Sequence, residues 1–332
     1  MIFGFGIIVS QSKPRKLTIQ GREIIMTKRS KILVVLLLAL VMVMVTACSG
    51  SEDVKEPASV NGDSSVTSSE ASADNDANSS NEPDGAAITI AETVLYDADG
   101  IKVTATRYED GWMGPEIKVL VENNSTKNVL VTVDALSANG YMMPSASLYA
   151  EVAAGKKANE SISIMSSELD QSGIDVLAEL QFYIQVSDSE TWETLATSEL
   201  LTLATSAAPY EQSVEDSGDV LYDANGVRII CKGLKQDVIW DGTVVFFMEN
   251  NSGKDISIYA ENVSVNGFMQ DVGLWSDLRF NTKLIDGMSL IDLSDLEIEN
   301  IDQIENIEFN LRIVDANNWN DIAITDSIVL DF

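Results

Sequence analysis

The sequence predicts an all-β protein made of two tandem antiparallel β-sandwiches of the immunoglobulin-like kind. One observation is a duplication: V-L-Y-D-A-D-G-I at 94–101 recurs as V-L-Y-D-A-N-G-V at 220–227 in a chain of 332 residues. A second is that short apolar segments alternate with polar residues, which is the period of a half-buried strand. A third is that Asp-Gly and Asn-Gly pairs, which favour tight hairpins, separate these segments. A closed barrel is the alternative architecture.

The duplication keeps its register over most of the chain. The first pair of segments is offset by 126 residues (220 − 94), whereas E-N-N-S at 122–125 and 249–252 is offset by 127 (249 − 122), so one insertion separates the two alignments. A long repeat of this kind indicates two copies of one domain. The predicted boundaries are 88–205 for the first sandwich, 206–216 for a linker and 217–332 for the second sandwich.

The strand after each duplicated turn shows the pattern most clearly. In the first copy Ile101, Val103 and Ala105 alternate with polar residues, and in the second copy Cys231 takes the place of Ala105. We predict that Cys231 is a small buried core residue, with a reactive thiol as the alternative. Apart from one possible turn of helix at 167–171, no segment has a helical period, so the βαβ alternation of a solute receptor is missing.

The turns D-A-D-G at 97–100 and D-A-N-G at 223–226 lie between predicted strands. Their last two residues supply the positive φ that a tight hairpin needs. The same letters match a fragment of a calcium loop, which makes Asp97, Asp99 and Asp223 weak calcium candidates. Neither copy has the further oxygen ligands and the distal glutamate of that loop, so we predict no metal site.

Two tryptophans precede the third strand of their copies. Trp112 lies in R-Y-E-D-G-W-M-G-P at 107–115, and Trp240 lies in the segment 233–242, which differs strongly from it. Burial in the sandwich core is the ordinary interpretation for both. Divergent loops on a duplicated scaffold also suit recognition, so Tyr108, Trp112 and Trp240 are the candidate ligand-binding residues.

Another tryptophan recurs in apparent hairpins. Trp192 follows Asp188 and Trp319 follows Asp315, with the same offset of 127 (319 − 192). We predict that each covers a sheet edge.

The beginning of the chain has the features of a secretory leader. Lys28, Arg29 and Lys31 precede the apolar run 32–45, and the run ends in V-T-A-C at 45–48. This ending resembles the lipobox of bacterial lipoproteins, in which the cysteine is acylated. We therefore predict a leader over 1–47, with Met26 as the true start, and lipidation of Cys48. Residues 48–87, rich in serine and without an aromatic residue, form a predicted disordered tether.

Charge and composition exclude several functions. The chain has no histidine, which removes the commonest general base and metal ligand. Residues 1–47 hold seven Lys and Arg and one Glu, so from Cys48 onward the balance is 14 − 51 = −37. Such a charge repels nucleic acid and favours cations and basic partners. We expect no enzyme activity and no cofactor.

The chain from 94 to 332 resembles a repeated, uncharacterised extracellular module of clostridial-type lipoproteins. The resemblance rests on Y-D-A-D-G-I-K-V from Tyr96, G-P-E-I-K-V-L-V-E-N-N-S from Gly114 and N-G-Y-M from Asn139. It implies an immunoglobulin-like fold and a location on the outer face of the plasma membrane, and it brings no catalytic residue.

The predicted function is that of a lipid-anchored surface protein that binds an envelope protein or glycan. Two alternatives stay open. One is a cell-wall or glycan hydrolase that uses carboxylates alone. The other is an accessory subunit of an envelope or export machine.

Replacing the predicted lipidation site tests the anchor. We expect the native protein to enter the detergent phase in a phase-partitioning experiment and Cys48→Ala to stay in the aqueous phase, because two acyl chains anchor a protein stably. Equal membrane retention of both proteins contradicts lipidation and indicates an uncleaved helix.

Overall fold

A computed structural model describes residues 87–236, 242–270 and 273–332, and in these ranges the chain is mostly β-strand with few helical residues. Cys48, the leader, the tether and Trp240 lie outside the described residues, so what the sequence predicts for them stays a prediction. Within the described ranges, no helix has the length and apolar composition needed to cross a bilayer.

The described residues form ten strands in each half of the molecule. The elements of the first half are β1 (Thr93–Ala98), β2 (Ile101–Asp110), β3 (Pro115–Asn123), β4 (Val129–Ala138), β5 (Tyr141–Met142), β6 (Tyr149–Val152), β7 (Lys156–Ser163), α1 (Ser166–Gln171), β8 (Glu179–Asp188), β9 (Thr194–Thr197) and β10 (Leu201–Ala204). Those of the second half are β11 (Asp219–Ala224), β12 (Val227–Lys235), β13 (Gly242–Asn250), β14 (Ile256–Val265), β15 (Phe268–Met269), β16 (Trp275–Leu278), β17 (Thr282–Leu290), β18 (Asn306–Asp315), β19 (Asp321–Ile324) and β20 (Ile328–Asp331), with 3₁₀ turns at Leu293–Leu296 and Ile301–Gln303.

These strands form three open sheets, so the barrel alternative is wrong. The N-terminal sheet has the order β1-β2-β3-β7. The shared sheet has the path β10-β8-β4-β5-β17-β13-β12-β11, with β6 beside β4 and β9 beside β8. The C-terminal sheet has the path β15-β14-β18-β19, with β16 and β20 at its sides. The strand order within each half is the same, and the two halves meet in the shared sheet.

Sheet position explains the apolar patterns of equivalent strands. In β3, Ile117, Val119 and Val121 are buried and alternate with half-exposed residues. In β13 the buried residues run without a break from Val244 to Met248. A strand covered on both faces has no polar side. Phe246 packs in the core of the second half, whereas Phe247 packs against the core of the first half.

A parallel pairing between β5 and β17 joins the two halves, and the other strand pairs among the described residues are antiparallel. The Lys283 amide donates to the Gly140 carbonyl at 2.8 Å. Beside this bond, Arg279 donates from Nη2 to Ser137 Oγ at 2.6 Å and from Nη1 to Gln181 Oε1 at 3.2 Å. We call the pairing of β5 with β17, together with these bonds of Arg279, the joint.

A buried asparagine fixes the same turn in each half. Asn250 donates from Nδ2 to the Lys254 and Leu278 carbonyls at 2.8 and 3.0 Å, and its Oδ1 accepts from the Ser252 amide and hydroxyl at 3.0 and 2.7 Å. Asn123 makes the equivalent four bonds in the first half. Because a buried amide needs all its partners, these bonds explain why E-N-N-S recurs.

Two local predictions are confirmed. Asp99 and Gly100 have φ of 52° and 80°, and Asn225 and Gly226 have φ of 54° and 75°, as the tight hairpins require. Cys231 is buried, and burial raises the pKa of its thiol.

Removing the asparagine of the second half tests the role of the turn. We expect Asn250→Ala to lower the free energy of unfolding by about 3 kcal/mol, because it leaves buried backbone groups without partners. Urea denaturation measures the change. The neighbouring exposed side chain supplies a matched control, and Asn251→Ala should stay within about 0.5 kcal/mol of the native protein. A loss for Asn250→Ala no larger than that of the control contradicts this role.

Candidate functional site

Trp112 lies in the loop between β2 and β3 and is 90% exposed, so the prediction that it packs in the core is wrong. The loop is held in place, because the Ser166 amide and hydroxyl donate to the Met113 carbonyl at 2.8 and 2.9 Å. Gly114 has a φ of 142°, and a Cβ there would meet the Ile164 carbonyl, which explains why the tight loop needs glycine. The indole therefore projects from a fixed support.

Tyr108 is less exposed than Trp112. Its ring is half-buried against the core of the first half, and its hydroxyl donates to Asp110 Oδ1 at 2.8 Å. Burial, and then the bond to Asp110, raise the pKa of Tyr108. Only Trp112 of this predicted pair is freely exposed.

The weak calcium candidates lie in hairpin turns. Asp97 is 3.8 Å from Lys102, and Asp223 is 3.7 Å from Arg228. In the parts of the chain that the structure describes, no three carboxylates, cysteines or histidines come together as metal ligands.

The second half carries an exposed cluster of three aromatic rings. The ring centroids of Trp275 and Tyr259 are 5.1 Å apart, and those of Trp275 and Trp319 are 6.0 Å apart. Trp275 is 61% exposed and Trp319 is 55% exposed. We call Tyr259, Trp275 and Trp319 the aromatic surface.

The backbone explains this clustering. Tyr259 and Trp275 are register partners in the pairing of β14 with β16. Trp319 comes from the turn after β18, where its amide donates to the Asp315 carbonyl at 2.8 Å. Lys254 lies 3.0 Å from the Asp315 carboxylate and, as the main cause, lowers the pKa of that group. The turn therefore holds the indole of Trp319 beside the sheet.

Polar groups border the aromatic surface. Trp275 donates from Nε1 to Asp277 Oδ1 at 3.1 Å, and the Ser257 hydroxyl donates to the same oxygen at 2.5 Å. Arg312, the register partner of Tyr259, donates to Asp321 at 2.6 Å and to Glu261 at 3.4 Å. The rings thus lie among hydrogen-bonding groups that are already oriented.

Aromatic residues occupy equivalent positions in the first half. Tyr149 pairs with Thr132 as Trp275 pairs with Tyr259, and Trp192 lies in the turn that corresponds to that of Trp319. Both Tyr149 and Trp192 are largely exposed. The sequence repeat identifies the two turn tryptophans, whereas Tyr149 and Trp275 are not among the residues predicted from it. The available signal was their offset of 126 (275 − 149), together with the aromatic character of both.

A cleft of about 350 Å³ lies beside the joint. Residues 133–136 and 142–144 of the first half form one wall, and residues 275–279 of the second half form the other. The register of β4 shifts between Asp134 and Ser137, so a bulge faces the cleft. Trp275 therefore belongs both to the aromatic surface and to the cleft.

The cleft is rich in carboxylates. Asp134, Asp255, Asp277 and Asp286 line it together with Arg279. Burial raises the pKa of Asp286, although its carboxylate accepts from the Ser276 hydroxyl at 2.6 Å and from the Gly287 amide at 2.7 Å. Arg279 is 6% exposed, and burial lowers the pKa of its guanidinium. Its Nε has no hydrogen-bond partner among the described residues.

Comparison with known proteins identifies no relative. No protein family and no curated protein matches the chain. Among solved structures, it is similar to the YadV chaperone at 8% identity and a TM-score of 0.21, with 65% of this chain and 92% of that chain covered. It is also similar to the red sea bream transglutaminase at 8% identity and a TM-score of 0.16, with 69% of this chain and 28% of that chain covered. Similarity at this level carries no functional argument.

The buried carboxyl in the cleft predicts a pH effect on stability. Because the folded state raises the pKa of Asp286 above its ordinary value of 3.8, the folded protein holds this proton more tightly than the unfolded chain does. The stability that the protonated group contributes is present below pH 3.8 and is lost as the pH rises through the raised pKa. We expect Asp286→Asn to become progressively more stable than the native protein over that interval.

Free energies of unfolding measured between pH 3 and pH 8 check this sign. Asp326→Asn, which removes an exposed carboxylate between β19 and β20, is the matched control. A native protein that gains stability over Asp286→Asn with rising pH contradicts the assignment.

Proposed function

We propose that the chain is a lipid-anchored surface protein whose two tandem immunoglobulin-like sandwiches bind a polysaccharide of the bacterial envelope. The observation that carries this proposal is the recurrence of exposed aromatic residues at equivalent strand and turn positions, Trp275 and Trp319 in one half and Tyr149 and Trp192 in the other.

The chemistry of these positions suits a sugar. The flat faces of indole and phenol rings pack against the C–H groups of a pyranose ring, and large rigid rings lose little conformational entropy on binding. Asp277 lies two residues after Trp275, and Glu151 lies two residues after Tyr149. Carboxylate oxygens accept hydrogen bonds from sugar hydroxyls.

Two equivalent sets of rings on one chain favour a polymer over a small ligand. When one set is bound, the second set meets the same polymer at a high effective concentration. The predicted anchor at Cys48 and the tether of residues 48–87 fit this role. If it behaves as a flexible coil, a tether of that length has a root-mean-square span of roughly 35 Å.

Carboxylate-based hydrolysis is the second candidate function, and one observation favours it. A raised pKa is what a general acid needs, and Asp286 lies in a cleft with Asp255 and Asp277. In this alternative, Asp286 donates its proton to the glycosidic oxygen as the bond from that oxygen to the anomeric carbon breaks. Water supplies the hydroxyl group that the anomeric carbon gains, and its remaining proton restores the acid.

Co-sedimentation with purified bacterial sacculi tests the proposal. We expect the native chain to bind and Trp275→Ala/Trp319→Ala to bind at least about tenfold more weakly, because truncation of aromatic hot spots commonly costs more than about 1 kcal/mol each. Trp112→Ala, which removes an equally exposed ring at a different place, is the matched control and should bind as the native chain does. Thermal melts confirm that the variants fold.

Two results oppose the proposal. Unchanged sedimentation of the double variant shows that the aromatic surface does not bind sacculi. Release of soluble fragments by the native chain, abolished in Asp286→Asn, shows that the protein is a hydrolase.

A further inference from the structure

The joint shows what kind of element β5 accepts. Tyr141 and Met142 are 2% and 7% exposed, because β17 lies parallel to β5 and covers them. Arg279 reaches from the second half to Ser137 and Gln181 on the neighbouring strands β4 and β8. The joint thus combines an edge strand, apolar side chains and one arginine.

In the second half, β15 corresponds to β5, and no strand of the described residues covers it. Phe268 and Met269, which correspond to Tyr141 and Met142 at an offset of 127 (268 − 141), are 59% and 67% exposed. Ser264 is the register partner of both Met269 and Glu308, and Glu308 pairs with Val329. These residues lie in a row across β15, β14, β18 and β20. Phe268, Met269, Glu308 and Val329 are exposed, whereas Ser264 between them is 7% exposed. We call these five residues the terminal patch.

The outer edge of β15 is free in the part of the chain that the structure describes: β14 is the only strand that pairs with it there. In the first half, the corresponding edge of β5 receives β17. The terminal patch therefore has the strand edge and the apolar residues of the joint without the covering strand.

A second copy of this chain does not provide the complementary surface. Its candidate element is the N-terminal sheet, in which β7 corresponds to β17. There Ala153 stands in place of Arg279 (279 − 126), Asn159 in place of Ile285 (285 − 126), and Thr104 in place of Ile230 (230 − 126). Ile230 and Ile285 are apolar residues through which the second half packs on the first. The free face of the N-terminal sheet is polar, as in the terminal units of repeat proteins.

One substitution changes the charge of the patch. Glu308 takes the place of Gln181 (308 − 127 = 181), so a carboxylate stands where a neutral amide accepts from Arg279. Ser264 takes the place of Ser137 (264 − 127 = 137). An arginine that approached in the geometry of Arg279 would form a charge-assisted bond here, which is stronger than the neutral one.

We propose that the terminal patch is a docking surface for an edge strand of a partner protein, which runs parallel to β15 and presents an arginine to Ser264 and Glu308. Strand addition of this kind gains affinity from main-chain hydrogen bonds and specificity from side chains. The site is separate from the aromatic surface, so it stands whether or not the chain binds glycan.

The chain's own segment Arg279–Leu290 is a suitable probe, since in the folded protein it makes this contact with the first half. We expect a synthetic peptide of this sequence to bind the full chain in detergent and to shift the amide resonances of residues 264–269 and 306–309. A peptide with Arg279→Gln should bind at least about tenfold more weakly.

Variants of the chain separate charge from packing. Glu308→Arg should abolish binding of the peptide, and Met269→Asp should do the same by placing a charge against the apolar strand. Glu308→Gln restores the residue type of the first half, so it should keep binding and lose most of its dependence on salt.

A chain extended by a third copy of residues 206–332 provides a test that does not depend on a short peptide. Phe332 corresponds to Thr205 (332 − 205 = 127), so the added copy continues the register. We expect the β15 amides to become protected from hydrogen exchange in the extended chain, and Glu308→Arg to remove that protection. Docking in either experiment supports the proposal.

Two outcomes overturn it. One is that the peptide shifts no resonance of the terminal patch and the third copy leaves the β15 amides unprotected. The other is that the full chain alone is a dimer in sedimentation equilibrium and Met269→Asp makes it a monomer, because a second copy then occupies the patch.

Discussion

The parallel pairing of β5 with β17 determines how the two halves of the molecule lie together. The Lys283–Gly140 bond extends the second sheet of the first half into the first sheet of the second half. Arg279 adds a buried guanidinium that donates to two neutral acceptors. Burying this charge costs free energy, and its hydrogen bonds form only in one relative arrangement of the two halves. The cleft exists because this contact places β4 and β16 on opposite sides of it. Trp275 and most of the carboxylates of the cleft belong to the second half, and the joint places Asp134 and the rest of the first-half wall opposite them.

The two copies share their polar supports and differ in part of their surfaces. Asn123 and Asn250 make the same four hydrogen bonds, and Asn139 and Asn266 each accept from two consecutive backbone amides at equivalent places. A buried polar group without its partners costs more than most surface changes, so these positions tolerate little variation. Two aromatic positions recur, because Tyr149 corresponds to Trp275 and Trp192 to Trp319, whereas Thr132 in one half corresponds to Tyr259 in the other. The third ring of the aromatic surface therefore lies at a position that differs between the copies.

What the sequence predicts correctly depends mostly on neighbouring residues. Turns at Asp99 and Asn225 and the burial of Cys231 follow from residue type and alternation. Trp112 shows the limit, because local pattern cannot tell an indole that enters a core from one that projects beside Gly114. The joint could not be predicted, since Tyr141 and Lys283 are paired across 142 residues (283 − 141) and nothing in either segment signals the other. The aromatic surface could not be predicted either, because it depends on the register that pairs Tyr259 in β14 with Trp275 in β16.

Through the joint the two halves are held as one body, and the amide of Lys283 reports on this contact directly. In native-state hydrogen exchange of the full chain, we predict that this amide is protected nearly as strongly as those of β13, and that Arg279→Ala lowers its protection without changing that of the β3 amides. Exchange of the Lys283 amide at the rate of an exposed strand edge, with β13 still protected, would contradict the claim.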